Sequence, residues 1–230
     1  MARRAARGPG AVQALTALTV VAPLLVLVAA LGTRSGVWSP EIGYDLLTLR
    51  VGWWLALPGG LAALGVVALS LRDVRRLAPW ALAAVVIGAG TLGVFVWQKA
   101  RIAAGPVENV STDLVEVPGF GRLRAAPPGA GPGDAVGGAA CPGAQPVMTQ
   151  IAPESGAWAL QQAGFEVRRA GVARVDGDRS SFWFGFRHDA VIRIRPGRTD
   201  IRVAARDTRS HGGEACRLAT RISEALRTGR

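Results

Sequence analysis

The stretch VGWWLALPGGLAALGVVALSL, residues 51–71, carries no charged side chain. At 1.5 Å per residue, about 20 apolar residues in a helix cross a hydrocarbon core of about 30 Å. Soluble helices keep a polar face, so an all-apolar run of this length reads as a membrane span. Two more such runs flank it: AVQALTALTVVAPLLVLVAAL at 11–31 and PWALAAVVIGAGTLGVFVW at 79–97. In a bilayer each helix satisfies its own backbone, which is what permits such sequences. The first 98 residues are therefore predicted to form a three-span anchor.

The flanks agree with spanning helices. Trp38, Trp53, Trp54, Trp80 and Trp97 lie at or near the ends of the runs, where indole favours the membrane interface. Pro23 and the Pro58-Gly59-Gly60 triplet are candidate bends. None of the runs holds an ionisable group, which argues against a channel or pump. Arg3, Arg4 and Arg7 precede the first run, and Arg72, Arg75 and Arg76 separate the second from the third. Positive flanks stay in the cytoplasm. The expected topology thus has a cytoplasmic N-terminus and an exported C-terminal part, although Lys99 and Arg101 run against the rule. Read alternatively as a signal peptide, with Val28-Ala29-Ala30 near its cleavage site, the first run leaves the same part exported.

The whole chain of 230 residues is 50% hydrophobic, with a formal charge of +11. Such a charge raises nucleic-acid binding. The basic residues are all Arg except Lys99, however, in a chain rich in Ala, Gly and Pro. That pattern is what a GC-rich coding bias gives, and an exported domain does not meet nucleic acid.

Beyond the anchor, residues 99–146 read as a linker, dense in Gly and Pro from Pro118 to Pro146. Residues 147–230 read as a small α+β domain with an antiparallel sheet. A helix is predicted over Pro153–Gly164, and strands around Phe165–Arg168 and Val172–Val175. Asp176-Gly177-Asp178 carries the hairpin dipeptide and reads as a turn. Alternation over Ser181–Phe186, Ala190–Arg195 and Thr199–Arg206 predicts further strands, with Pro196-Gly197 as a turn. A last helix is expected over Gly213–Leu226. Helices should cover one face of a sheet of three or four meandering strands.

Cys141 and Cys216 both fall in the exported part, where an oxidising compartment permits a bridge. Closing so long a loop is worth about 4 kcal/mol in the chain-entropy account. Two unrelated thiols are the alternative.

The stretch FWFGFRHDAVIRIRP, residues 182–196, resembles the bacterial envelope family called "domain of unknown function 1499". Its marks are Trp183 and Gly185 in an aromatic-Phe-Gly-Phe run, an Asp at Asp189, and hydrophobics alternating with Arg. Members often carry several membrane spans ahead of the domain. Val107-Glu108-Asn109-Val110-Ser111-Thr112-Asp113 is similar to the family's entry motif. Ser111, Thr112 and Asp113 match it, while Glu108 and Asn109 depart. In Arg206–Gly213, the place of a family helix entry, only the Ser and the final Gly match. The resemblance implies architecture and an envelope location, and no activity.

The candidate chemistry is sparse. His188 and Asp189 are neighbours on a strand, so their side chains should point to opposite faces, which disfavours a relay. His211 reads as a loop or surface side chain. No nucleophile elbow, phosphate loop, histidine cluster or metal-ligand spacing is evident, so neither catalytic nor metal-binding residues are assigned and no cofactor is implied. Arg193, Arg195, Arg202 and Arg206 should share one sheet face. That face reads either as a salt-bridged, solvated surface or as a binding face for anionic lipid headgroups or an acidic polymer. The leading expectation is a non-enzymatic protein of the bacterial inner membrane, multi-pass, with a periplasmic domain. Membrane lipids and a protein, lipid or cell-wall component are its expected partners. The alternative is an envelope hydrolase or transferase using His188 or Asp189.

Overall fold

A computed structural model describes residues 8–104, 108–123, 135–207 and 209–229. Arg3, Arg4, Arg7, Val107 and the Gly/Pro-rich run at 125–133 lie outside these residues. The chain forms two compact units, Met1–Lys99 with Phe182–Phe184, and Ala100–Ser181 with Gly185–Arg230.

In the first unit, α1 spans Gly8–Arg34, α2 Trp53–Ser70 and α3 Val74–Ala103. A π-helical segment, Glu41–Gly52, runs directly into α2. The unit thus has three helices long and apolar enough to cross a membrane. Their packing suits an apolar surrounding. The buried positions are mostly small, among them Ala22, Ala29, Ala56, Ala62, Ala63 and Ala84, whereas Leu24, Leu61, Leu64, Leu82 and Val86 are exposed. Between helices in lipid, close backbone approach replaces the hydrophobic drive, and small residues permit it. A Cβ on Gly59 would touch the α1 backbone at Leu18 and Thr19, at 3.6–3.9 Å. Thr16, Thr19, Thr33 and Ser70 return their hydroxyls to carbonyls of their own helices. These four hydroxyls thereby find acceptors within the apolar helices.

Several boundaries differ from expectation. The second helix begins at Glu41, not near Val51, because the chain stays helical through the charged residues that precede the apolar run. Trp53 and Trp54 therefore lie within a continuous helix. Lys99 Nζ sits 3.8 Å above the Trp53 ring, so a cation reaches that level of the bundle. Arg75 and Arg76 belong to the start of α3, and the loop shrinks to residues 71–73. Helix assignment is uninterrupted at Pro23 and Pro58.

The second unit is α+β. Its five strands are β1 (Asn109–Ser111), β2 (Glu166–Gly171), β3 (Arg174–Ser180), β4 (Arg187–Arg195) and β5 (Arg198–Ala205). They pair antiparallel in the order β1-β5-β4-β3-β2. Helices α4 (Pro153–Gln162) and α5 (Glu214–Thr228) cover one face. Alternation places Val175, Ala190, Ile192, Ile194, Ile201 and Val203 on that side, against Ala159, Leu160, Leu218, Ala219 and Ile222. The Cys141–Cys216 disulfide is formed, with a Cα–Cα distance of 5.7 Å, and ties the Cys141 loop to α5.

Three expectations for this unit are corrected. The segment 99–146 is not merely a linker, since its Asn109–Ser111 adds a fifth, edge strand beside β5. Asp176-Gly177-Asp178 is the middle of β3, not a turn. Gly177 faces a bulge in β2, where a Cβ would stand 2.6 Å from the Glu166 carbonyl oxygen, so close backbone approach explains the glycine. Conversely, residues 181–186 form the β3–β4 connection instead of a strand. Ser181 and Phe186 close it by two hydrogen bonds, and Gly185 supplies a φ of +71°.

Candidate functional site

On the sheet face away from the helices stand Arg193, Arg195, Arg202 and Arg206, the first, second and fourth as partners of carboxylates in a charge lattice. Arg193, Arg195 and Arg198 converge on Asp200, at 3.3, 2.6 and 2.8 Å. Arg193 and Arg195 also hold Asp113, at 2.8 and 2.9 Å, and both reach Glu116. Arg206 binds Asp189 at 2.7 Å. Arg202 is only 2% exposed. It donates to Asn109 Oδ1 and the Pro118 carbonyl, with its guanidinium 4.4 Å over the Phe120 ring. The pairing satisfies charges that the close packing of strands takes from water.

The Ser-Thr-Asp motif has a structural job in this lattice. The Thr112 hydroxyl accepts from the Ile201 N–H and donates towards Asp200, extending β1's hold on β5. Ser111 Oγ donates to the Asp113 carbonyl. Asp113 Oδ1 accepts from the backbone N–H groups of Val115 and Glu116, turning the chain, while Oδ2 faces the arginines. The Glu116 N–H lowers the Asp113 pKa, burial opposes it, and Arg195, the Val115 N–H and Arg193 complete a net shift below the ordinary value. At Asp178 burial pushes the pKa up, but hydrogen bonds from Arg168 and Arg187 outweigh it.

The depressed carboxylates fix the sign of the acid response. A lowered folded-state pKa adds stability above the unfolded value of about 3.9, and that stability is lost as pH falls through the folded value. Thermal melts of the second unit's near-UV signal should therefore hold steady from pH 7 to 5 and fall below about pH 4. Asp178→Asn should shrink that fall. A midpoint unchanged down to pH 2.5 would show that these pairs carry no net stability.

On the helix-covered face a different group assembles. His188, on β4, is fully buried, and its Nε2 lies 3.4 Å from His211 Nδ1 and 3.9 Å from Glu108 Oε2. One ligand atom from each of Glu108, His188 and His211 falls within 4.8 Å of the others. Its two histidines stand 23 residues apart in the chain and Glu108 80 residues before His188, so no local ligand spacing marks the group. Glu108 comes from the approach to β1 and reaches the start of α5. Its Oε1 accepts from the N–H groups of His211 and Gly213, both at 2.8 Å, which satisfies donors that a helix start leaves open. Burial raises the Glu108 pKa, yet interaction with His188, the Gly213 N–H, the His211 charge and the Ala215 N–H bring it below the ordinary value. The Phe186 ring stacks on His211, with centroids 4.1 Å apart and planes 12° apart. Asp207 Oδ1 lies 2.9 Å from His211 Nε2 on the far side of that ring.

His188 and Asp189 point to opposite faces, as expected, and Asp189 is engaged by Arg206. No His188–Asp189 relay exists. Trp183 is exposed in the β3–β4 connection, and Gly185 gives that connection its left-handed step. An open cleft of about 340 Å³ lies between Thr149, Ile151, Trp158 and Leu226, and among the described residues no ionisable side chain lines it. Neither Glu108 nor His211 was singled out as a functional residue, and the available signal was their departure from the family pattern at two chemistry-bearing positions. Comparison with family models, curated proteins and solved structures returns no match, so the resemblance rests on the quoted residues alone.

Proposed function

We propose that the chain is a multi-pass inner-membrane protein of the bacterial envelope whose exported α+β unit binds at the lipid surface, without a catalytic role. The observation that carries this reading is the aromatic connection between β3 and β4. Phe182 and Trp183 are 68% and 55% exposed. Exposed aromatics of this kind suit the headgroup layer, where an apolar ring with a polar edge is at home. The resemblance of residues 182–206 to an envelope family points the same way. The arginine flanks favour a cytoplasmic N-terminus. The paired arginine lattice makes headgroup charge a secondary attraction. The hydrolase or transferase alternative uses His188 or Asp189; both side chains are fully buried and Asp189 is engaged by Arg206, which favours the binding reading.

Two measurements on the full chain test this reading. In proteoliposomes with bromine-labelled acyl chains, Trp183→Phe should remove a quenched component of the tryptophan emission. Unchanged quenching would place Trp183 in water and end the lipid-surface reading. In spheroplasts, externally added trypsin should degrade the arginine-rich C-terminal unit. Protection until lysis would reverse the proposed topology.

A further inference from the structure

We propose that Glu108, His188 and His211 form a binding site for a transition-metal ion of the zinc class. The donor set is two imidazoles and one carboxylate. Imidazole selects Zn²⁺, Co²⁺ and their neighbours over Mg²⁺ and Ca²⁺, which take oxygen ligands.

The spacing fits such an ion. Two ligands at about 2.05 Å from a tetrahedral centre stand about 3.3–3.4 Å apart. His188 Nε2 and His211 Nδ1 are separated by 3.4 Å. Glu108 Oε2 stands 3.9 Å from His188 Nε2, and the three ligand atoms lie within 4.8 Å of one another, so the carboxylate closes on the two imidazoles by about 0.5 Å or more when the ion binds. Three protein ligands leave the fourth position for water or a ligand, on the side where Glu108 is partly exposed.

The surroundings prepare each donor atom. Asp207 Oδ1 sits 2.9 Å from His211 Nε2 without the alignment of a hydrogen bond, and its negative charge favours the proton on that nitrogen, which leaves Nδ1 as the lone pair facing His188. Phe186 fixes the plane of that ring. On Glu108 the two oxygens divide the work. Oε1 takes the two short backbone hydrogen bonds, and Oε2 has only the longer 3.4 Å contact to the Ala215 N–H, so it remains available to the imidazoles. His188 Nδ1 is buried and has no hydrogen-bond partner among the described residues. A neutral His–His hydrogen bond accounts for the Nε2–Nδ1 contact but leaves unexplained a carboxylate–imidazole support behind it. That arrangement recurs behind metal-ligating histidines.

The experiment uses the full chain in detergent micelles, prepared without a polyhistidine tag and stripped with chelator. Titration with Co²⁺ should give one equivalent of tetrahedral absorption bands, which Zn²⁺ displaces and Mg²⁺ does not. His211→Gln and Glu108→Gln should each weaken Co²⁺ binding at least about tenfold, and Asp207→Asn by about 10- to 100-fold. His188→Ala opens a core cavity and can unfold the unit. Asp207→Asn keeps the side-chain volume and opens no cavity, so it keeps the test decisive while the near-UV signal reports folding. Absence of the bands in folded protein overturns the proposal. So do bands of equal strength and affinity in folded Asp207→Asn and His211→Gln.

Discussion

Replacing both Cys141 and Cys216 with Ala is expected to lower the stability of the α+β unit by about 4 kcal/mol. The bridge joins residues 75 apart, and a cross-link of that span removes much of the freedom of the unfolded chain. The folded state loses little packing, because Ala144 and Thr220 continue to hold the two segments near each other. For a domain whose total stability is about 5–15 kcal/mol, the loss is large. The melting midpoint should drop by on the order of 15 °C. Near-UV melts of the purified full chain, with and without reductant, read the effect. Reductant should reproduce the double substitution in the wild type and do nothing further to the variant. A midpoint within 3 °C of wild type would mean that the reduced loop stays ordered when the rest unfolds.

Asp200→Ala should cost about 3 kcal/mol. Asp200 is fully buried, and Arg193, Arg195 and Arg198 all point at it. Removing one partner of a buried ion pair strands the other, and stranded charge is the expensive outcome. The arginines keep some contact with water and with Asp113 and Glu116, which sets the figure at the lower end of the range for such losses. Asp200→Asn should recover part of it, since the amide oxygen still accepts from Arg198 and Thr112. Denaturant melts of the two variants separate charge from hydrogen bonding. Equal stability of Asp200→Ala and wild type would show that the lattice relaxes onto Asp113 alone.

The apolar runs were legible because hydropathy over 20 residues needs no tertiary information. Helix ends were less so: the second helix starts at Ser39-Pro40-Glu41, a local start signal some ten residues ahead of the apolar stretch, and hydropathy alone places the start too late. Strands β4 and β5 followed from strict alternation and a Pro-Gly turn. The β2–β3 region misled because Asp-Gly carries two meanings. It is a turn signal when its neighbours are free, and a bulge partner when an adjacent backbone presses close, as Glu166 does on Gly177. The arginine face was visible as a pattern, but its acidic partners Asp113 and Glu116 lie about 80 residues earlier in the chain. For the same reason the two histidines looked unrelated until β4 and the start of α5 met over Glu108. That glutamate precedes β1 and His211 precedes α5, so only the folded chain brings them together.

The pairing of β1 with β5 has a consequence for what happens to the chain once it is cut. The strand and Glu108 belong to the N-terminal side of the glycine- and proline-rich stretch, whereas the other four strands and both helices follow it. A protease nicking between Leu123 and Val136 would not simply shed the α+β unit. The released piece would stay docked on a stub that carries the three apolar helices, completes its sheet and caps its last helix. Strand complementation across such a nick would make retention on that stub a question of dissociation rate and not of covalent continuity.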